Sequence, residues 1–95
     1  MNYNPETKVL TILPEFNKEL TGLPEDVVEI IFEEDSDVNI SYDGSRSRFN
    51  KIIKENVLPP SLHTLKLGYY YNQEIEKGVL PESLHTLIFG HCYNQ

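Results

Sequence analysis

Residues 49–70, FNKIIKENVLPPSLHTLKLGYY, and residues 71–92, YNQEIEKGVLPESLHTLIFGHC, align without a gap and are identical at 11 of 22 positions. Tyr93-Asn94-Gln95 then opens a further copy. Self-similarity at a fixed short period constrains a fold more than any local propensity does. Each unit is one turn that cannot bury its apolar edge alone, so a continuous core arises only by stacking neighbours. The shared positions include Asn50/Asn72, Ile53/Ile75, Val57-Leu58-Pro59/Val79-Leu80-Pro81, Ser61/Ser83, the Leu-His-Thr-Leu runs from Leu62 and Leu84, and Gly68/Gly90.

The same template extends upstream. Leu23-Pro24-Glu25-Asp26-Val27-Val28-Glu29-Ile30-Ile31-Phe32 lies on the segment from Leu80 to Phe89 with its apolar anchors kept. Ahead of it, Leu10-Thr11-Ile12 and Phe16-Asn17 repeat the spacing of Leu65-Lys66-Leu67 and Tyr71-Asn72. Residues 33–48 do not fit: Val38, Ile40 and Tyr42 alternate, and Asp43-Gly44 follows as a turn, which reads as an inserted strand or a degenerate turn. The expected organisation is one solenoid domain over 1–95. It has diverged repeats in 1–32, the insert in 33–48, repeats at 49–70 and 71–92, and an incomplete one from 93 to 95.

Within each unit the anchors Leu62, Leu65, Leu67 and Leu84, Leu87, Phe89 have the L-x-x-L-x-L spacing that a short strand presents to one side. Gly68 and Gly90 follow where the chain leaves the strand, and glycine there permits a positive φ or a close approach of the next turn. An asparagine beside an aromatic comes next. Asn17, Asn50, Asn72 and Asn94 form an expected structural ladder, each turned inward to satisfy backbone groups that have no sheet partner. The Leu-Pro return disfavours helix. The fold class expected is mainly β: a right-handed, leucine-rich-repeat-like solenoid of short parallel strands, one per turn of about 22 residues, with little helix.

These units resemble the FNIP repeat, through Phe49-Asn50, Leu58-Pro59-Pro60-Ser61-Leu62, Leu65-Lys66-Leu67-Gly68, Tyr71-Asn72-Gln73-Glu74-Ile75, Leu80-Pro81-Glu82-Ser83-Leu84 and Leu87-Ile88-Phe89-Gly90. That family comprises leucine-rich-repeat-like units abundant in social amoebae and giant DNA viruses. The match is close over 49–95 and looser over 9–32. Tyrosine replaces phenylalanine at 71 and 93, and Lys51-Ile52 and Gln73-Glu74 stand where Gln-Pro is usual. The resemblance implies a curved solenoid used for protein binding, sometimes joined to an F-box or kinase domain, with no chemistry of its own.

Charge narrows the partners. Fifteen Asp and Glu against eight Lys and Arg leave a net charge of −7, the wrong sign for gripping a phosphate backbone, so no nucleic acid is expected. Residues 1–48 hold 11 acids and 4 bases, whereas 49–95 hold 4 of each. The acidic run from Glu25 to Asp37 reads as a solvated face or a surface for a basic partner. Apolar runs of two or three residues argue against a membrane span or secretory segment, and a lone Cys92 agrees with a reducing compartment. The expected location is intracellular and cytoplasmic.

Chemistry is sparse. His63 and His85 share one repeat position and should stack about 4.8 Å apart, a ladder rather than a tetrahedral zinc site, with His91 and Cys92 on another edge. Asp35-Ser36-Asp37-Val38-Asn39-Ile40-Ser41 imitates a calcium loop, but Ile40 and Arg46 replace its glycine and bidentate glutamate. Adjacent His91 and Cys92 do not make a catalytic dyad. No enzyme activity, no cofactor and no metal are therefore expected. The strand residues between anchors, Thr11, Glu29, Ile31, Thr64, Lys66, Thr86 and Ile88, nominate a partner-binding strip, which Tyr69 and Tyr70 could extend.

Two other readings stand beside the binding module. Residues 23–32 also resemble the Leu-Pro start of an F-box helix, which would make the chain a ubiquitin-ligase adaptor and would require residues 24–33 to be helical. Alternatively, an open C-terminal end, with Ile75, Leu84, Leu87, Phe89 and Tyr93 uncovered, would drive self-assembly into a homo-oligomer.

Overall fold

The computed structural model describes residues 2–34, 46–76 and 78–95. Five short strands lie in chain order in one sheet: β1 (Asn2–Asn4), β2 (Val9–Ile12), β3 (Glu29–Phe32), β4 (Thr64–Lys66) and β5 (Thr86–Ile88). β2 to β5 are parallel, and β1 pairs antiparallel with β2. The register places Leu10 beside Ile30, Ile30 beside Leu65, and Leu65 beside Leu87. This is the alignment that the Leu-Pro and L-x-x-L-x-L anchors require. No helix occurs among the described residues, and the fold is a mainly β, leucine-rich-repeat-like solenoid.

Alternation along each strand explains the layering. In β2 and β3 the second and fourth residues are buried and the first and third half-buried, because successive side chains leave opposite faces of a strand. Leu10, Ile12, Ile30, Phe32, Leu65 and Leu67 point into the core. There they meet Leu20, Val27, Ile53, Leu58, Leu62 and Val79 of the return segments. An aromatic column runs up the coil from Phe16 through Phe49 and Tyr71 to Tyr93, with ring centroids 6.1, 5.5 and 6.3 Å apart.

Residues 33–48 do not interrupt the stack, since β3 pairs directly with β4. Phe49 stands at the position of Tyr71 in the following turn, and the two rings stack. Glu34 ties the junction: its Oε2 accepts from the Ser47 N–H at 3.0 Å and the Tyr69 N–H at 2.8 Å. The strand expected near 38–42 and the calcium-like segment 35–41 lie outside the described residues.

Two corrections follow from the backbone. The F-box reading of 23–32 needs a helix, but Glu29–Phe32 is a strand with parallel neighbours on both sides, as its β-branched and aromatic residues favour. The N-terminal segment also holds a strand that the repeat template lacks. β1 folds back on β2 through a turn in which Lys8 N–H donates to Asn4 O at 2.7 Å and Lys8 takes φ 61°. Asn4 Oδ1 accepts from Glu6 N–H at 2.9 Å inside that turn.

Glycine does two separate jobs. Gly78 at φ 91° and Asn56 at φ 65° occupy the same repeat position, a left-handed corner before the Leu-Pro return. Gly68 and Gly90 instead serve close approach. A Cβ at Gly90 would overlap the Gly68 carbonyl, and one at Gly68 would overlap the Ser47 side chain.

Candidate interaction face

The parallel register sorts the seven nominated strip residues into two rows. Thr11, Ile31, Lys66 and Ile88 stand in one, and Glu29, Thr64 and Thr86 in the other. All occupy the non-core positions of their strands. Val9 begins the second row beside Glu29, and β1 widens the face with Asn2 beside Thr11 and Asn4 beside Val9. Sequence reasoning missed these three. Val9 was legible from its place one residue before the Leu10 anchor, whereas β1 has no repeat signal.

Exposure rises toward the C-terminal end of the rows. Thr11, Glu29, Ile31 and Thr64 are half-buried, while Lys66, Thr86 and Ile88 are exposed, with Ile88 at 44%. The rows carry few charges, Glu29 and Lys66 alone among these residues, and Glu33 is exposed just beyond β3. Tyr69 does not extend the strip freely. It is packed between the Arg46 guanidinium, 4.0 Å from its ring centroid, and the His91 ring at 5.0 Å, with Tyr70 edge-on at 4.9 Å.

Three side-chain ladders hold the turns in register. Asn17 Oδ1 accepts from Asn50 N–H at 3.0 Å, Asn50 Oδ1 from Asn72 N–H at 2.9 Å, and Asn72 Oδ1 from Asn94 N–H at 2.9 Å. The orientation differs from the inward one expected: Asn17, Asn50 and Asn94 are exposed and Asn72 half-buried. Each carboxamide oxygen needs only to reach the N–H of the turn above, which it does from the solvent edge. Gln73 and Gln95 Nε2 reinforce the ladder by donating to Asn50 Oδ1 and Asn72 Oδ1 at 3.2 and 3.1 Å.

The second ladder was not foreseen. Ser61 Oγ lies 2.8 Å from both Glu25 O and Val27 O, and Ser83 Oγ lies 2.8 and 2.7 Å from Pro60 O and Leu62 O. The third is the stacked pair His63 and His85, both exposed, with ring centroids 5.2 Å apart and planes at 9°. Cys92 is a free, half-buried thiol, and no group of three metal-ligating side chains converges among the described residues.

Residues 49–92 match the FNIP repeat family. The chain is also similar to the crystal structure of CroV588, described as a novel circular LRR protein, with a TM-score of 0.66 and 31% identity over 92% of this chain. The chain spans 14% of the length of that protein. No curated protein matches it. The matched segment contains both complete 22-residue units, so residues 49–92 are FNIP repeats within a leucine-rich-repeat-like fold.

Proposed function

We propose that this chain is a non-catalytic interaction module that binds a protein partner through its outer strand face, and that it works in the cytoplasm. The observation that carries the reading is the in-register row Thr11, Ile31, Lys66, Ile88, flanked by Glu29, Thr64 and Thr86. A sheet face held by the core behind it is a pre-ordered surface, so little conformational entropy is lost on docking. Two isoleucines stand on its solvent side, and one is largely open. Apolar side chains at the centre of a polar rim are the usual anchors of a protein interface. The net charge of −7 disfavours nucleic acid as the ligand.

The test compares the intact chain with an Ile31→Asp/Ile88→Asp variant in affinity capture, followed by titration of the purified captured protein. Saturable binding by the intact chain, lost in a variant that keeps its β-sheet circular dichroism, supports the strand face. Equal binding by both overturns it. Head-to-tail polymerisation, the third reading, would bring β5 of one copy against β1 of the next, the strand that pairs antiparallel with β2.

A further inference from the structure

The strand face carries a pattern across its strands as well as along them. Lys66 stands in register with Ile31 on one side and Ile88 on the other, so three successive strands present apolar, cationic and apolar side chains at one level. Lys66 is exposed and forms no ion pair among the described residues. The neighbouring row places the Thr64 and Thr86 hydroxyls beside it, and β4 and β5 contain no acid. A carboxylate held between two apolar groups is the complement of this level.

Spacing selects the kind of chain that can present such a group. Neighbouring strands lie about 4.8 Å apart, so the row from Ile31 to Ile88 spans about 9.6 Å. An extended peptide laid along the row has its same-face side chains about 6.7 Å apart, and the third overshoots Ile88 by about 4 Å. A helix rises about 1.5 Å per residue, so positions i, i+3 or i+4, and i+7 of one face span about 10.5 Å, within about 1 Å of the row.

We propose that the strand face receives an amphipathic helix of a partner protein, lying across β3, β4 and β5 with an Asp or Glu over Lys66 and an apolar residue on either side of it. The inference rests on the strand-face reading and adds the partner's chemistry. Ile31 and Ile88 bury the apolar residues of the helix, and the water they exclude strengthens the central ion pair. Thr64 and Thr86 form part of the polar rim.

The test is a selection against the 95-residue chain. A displayed helical scaffold randomised at i, i+3, i+4 and i+7 competes with a displayed extended scaffold randomised at alternate positions. Helices with Asp or Glu at i+3 or i+4, between apolar residues at i and i+7, should be enriched. A synthetic peptide of the selected helix should bind about tenfold more weakly to Lys66→Glu, and selection on that variant should turn the central position to Lys or Arg. Lys66 is exposed, so the variant keeps its core, which circular dichroism checks. Enrichment of extended binders, absence of helical ones, or a central residue indifferent to Lys66→Glu overturns the proposal. Such binders, if lost on Ile31→Asp/Ile88→Asp, leave the strand face as the interface and remove only the helix. Selected helices that survive the double substitution overturn both readings. A dimer of the chain alone that Lys66→Glu breaks overturns the proposal and assigns the face to a second copy.

Discussion

The Tyr3 hydroxyl donates to Asp26 Oδ1 at 2.6 Å, and Asp26 stands at the repeat position that Ser61 and Ser83 fill in later turns. A serine there shares its one hydroxyl proton between two carbonyls of the turn beneath. Beneath Asp26 lies the β1–β2 hairpin, which offers donors instead, Tyr3 Oη and Lys8 Nζ, the latter 2.9 Å from Asp26 Oδ2. The substitution converts a stacking contact into a latch for the N-terminal cap.

That latch is acid-sensitive. Hydrogen bonds from Tyr3 and then Lys8 hold the Asp26 carboxyl below its usual value of 3.8. A depressed carboxylate contributes stability above its unfolded value and loses it as pH falls through the folded one. Protection factors of the β1–β2 amides in hydrogen exchange should therefore drop below about pH 4, and Asp26→Ala should abolish that dependence. The Tyr3 hydroxyl, raised from 10.0 to about 12 mainly by its bond to Asp26, contributes in full below about pH 10 and loses that contribution as pH rises toward the folded value.

Tyr71→Phe should stabilise the chain. Its ring is fully buried, its hydroxyl has no well-formed hydrogen bond and only a weak interaction with the Ile53 backbone, and burial pushes its pKa up to about 12. Removing a buried, poorly satisfied hydroxyl without changing ring shape should raise stability by up to about 1 kcal/mol, read from the urea midpoint. Tyr93→Phe, at a half-buried position, should change little.

Gly90→Ala should cost about 1–3 kcal/mol, because the added methyl collides with the Gly68 backbone carbonyl and not with a movable side chain. Gly22→Ala makes a useful contrast. No atom would crowd a methyl there, and only its φ of 62° resists substitution. Chemical denaturation of the two variants separates close approach from backbone strain.

Leu65→Ala and Leu87→Ala change the same repeat position with and without a covering turn. Leu65 is wholly buried, and its truncation should cost about 2–5 kcal/mol. Leu87 is half-buried, so the matching loss should be clearly smaller. Equal losses would show that the C-terminal face is covered in solution.

Ser61→Ala should destabilise by about 1 kcal/mol in the same assay, since Glu25 O and Val27 O lose a shared donor.

Much of this architecture was legible in the chain. Gapless repetition and the Leu-Pro anchors placed Ile30, Leu65 and Leu87 at one level, and the sheet register has them there. The seven strip residues fell on one face for the same reason, the two-residue period of a strand. β1 was not legible, since Asn2-Tyr3-Asn4 has no apolar alternation and is held by a turn and by pairing to β2. The serine ladder was visible as identity but not as a role, because its acceptors lie 34 to 36 residues away at Ser61.

Repeat period, strand positions and the core-facing leucines are local properties, carried by spacing that any stacked coil of this kind must obey. Three features needed the folded chain: the solvent-edge placement of the asparagines, the antiparallel pairing of β1 with β2, and the contacts of Ser61 and Ser83 with carbonyls of the turn beneath. Each depends on which backbone groups a neighbouring turn leaves unpaired. That is settled only when the turns are brought into contact.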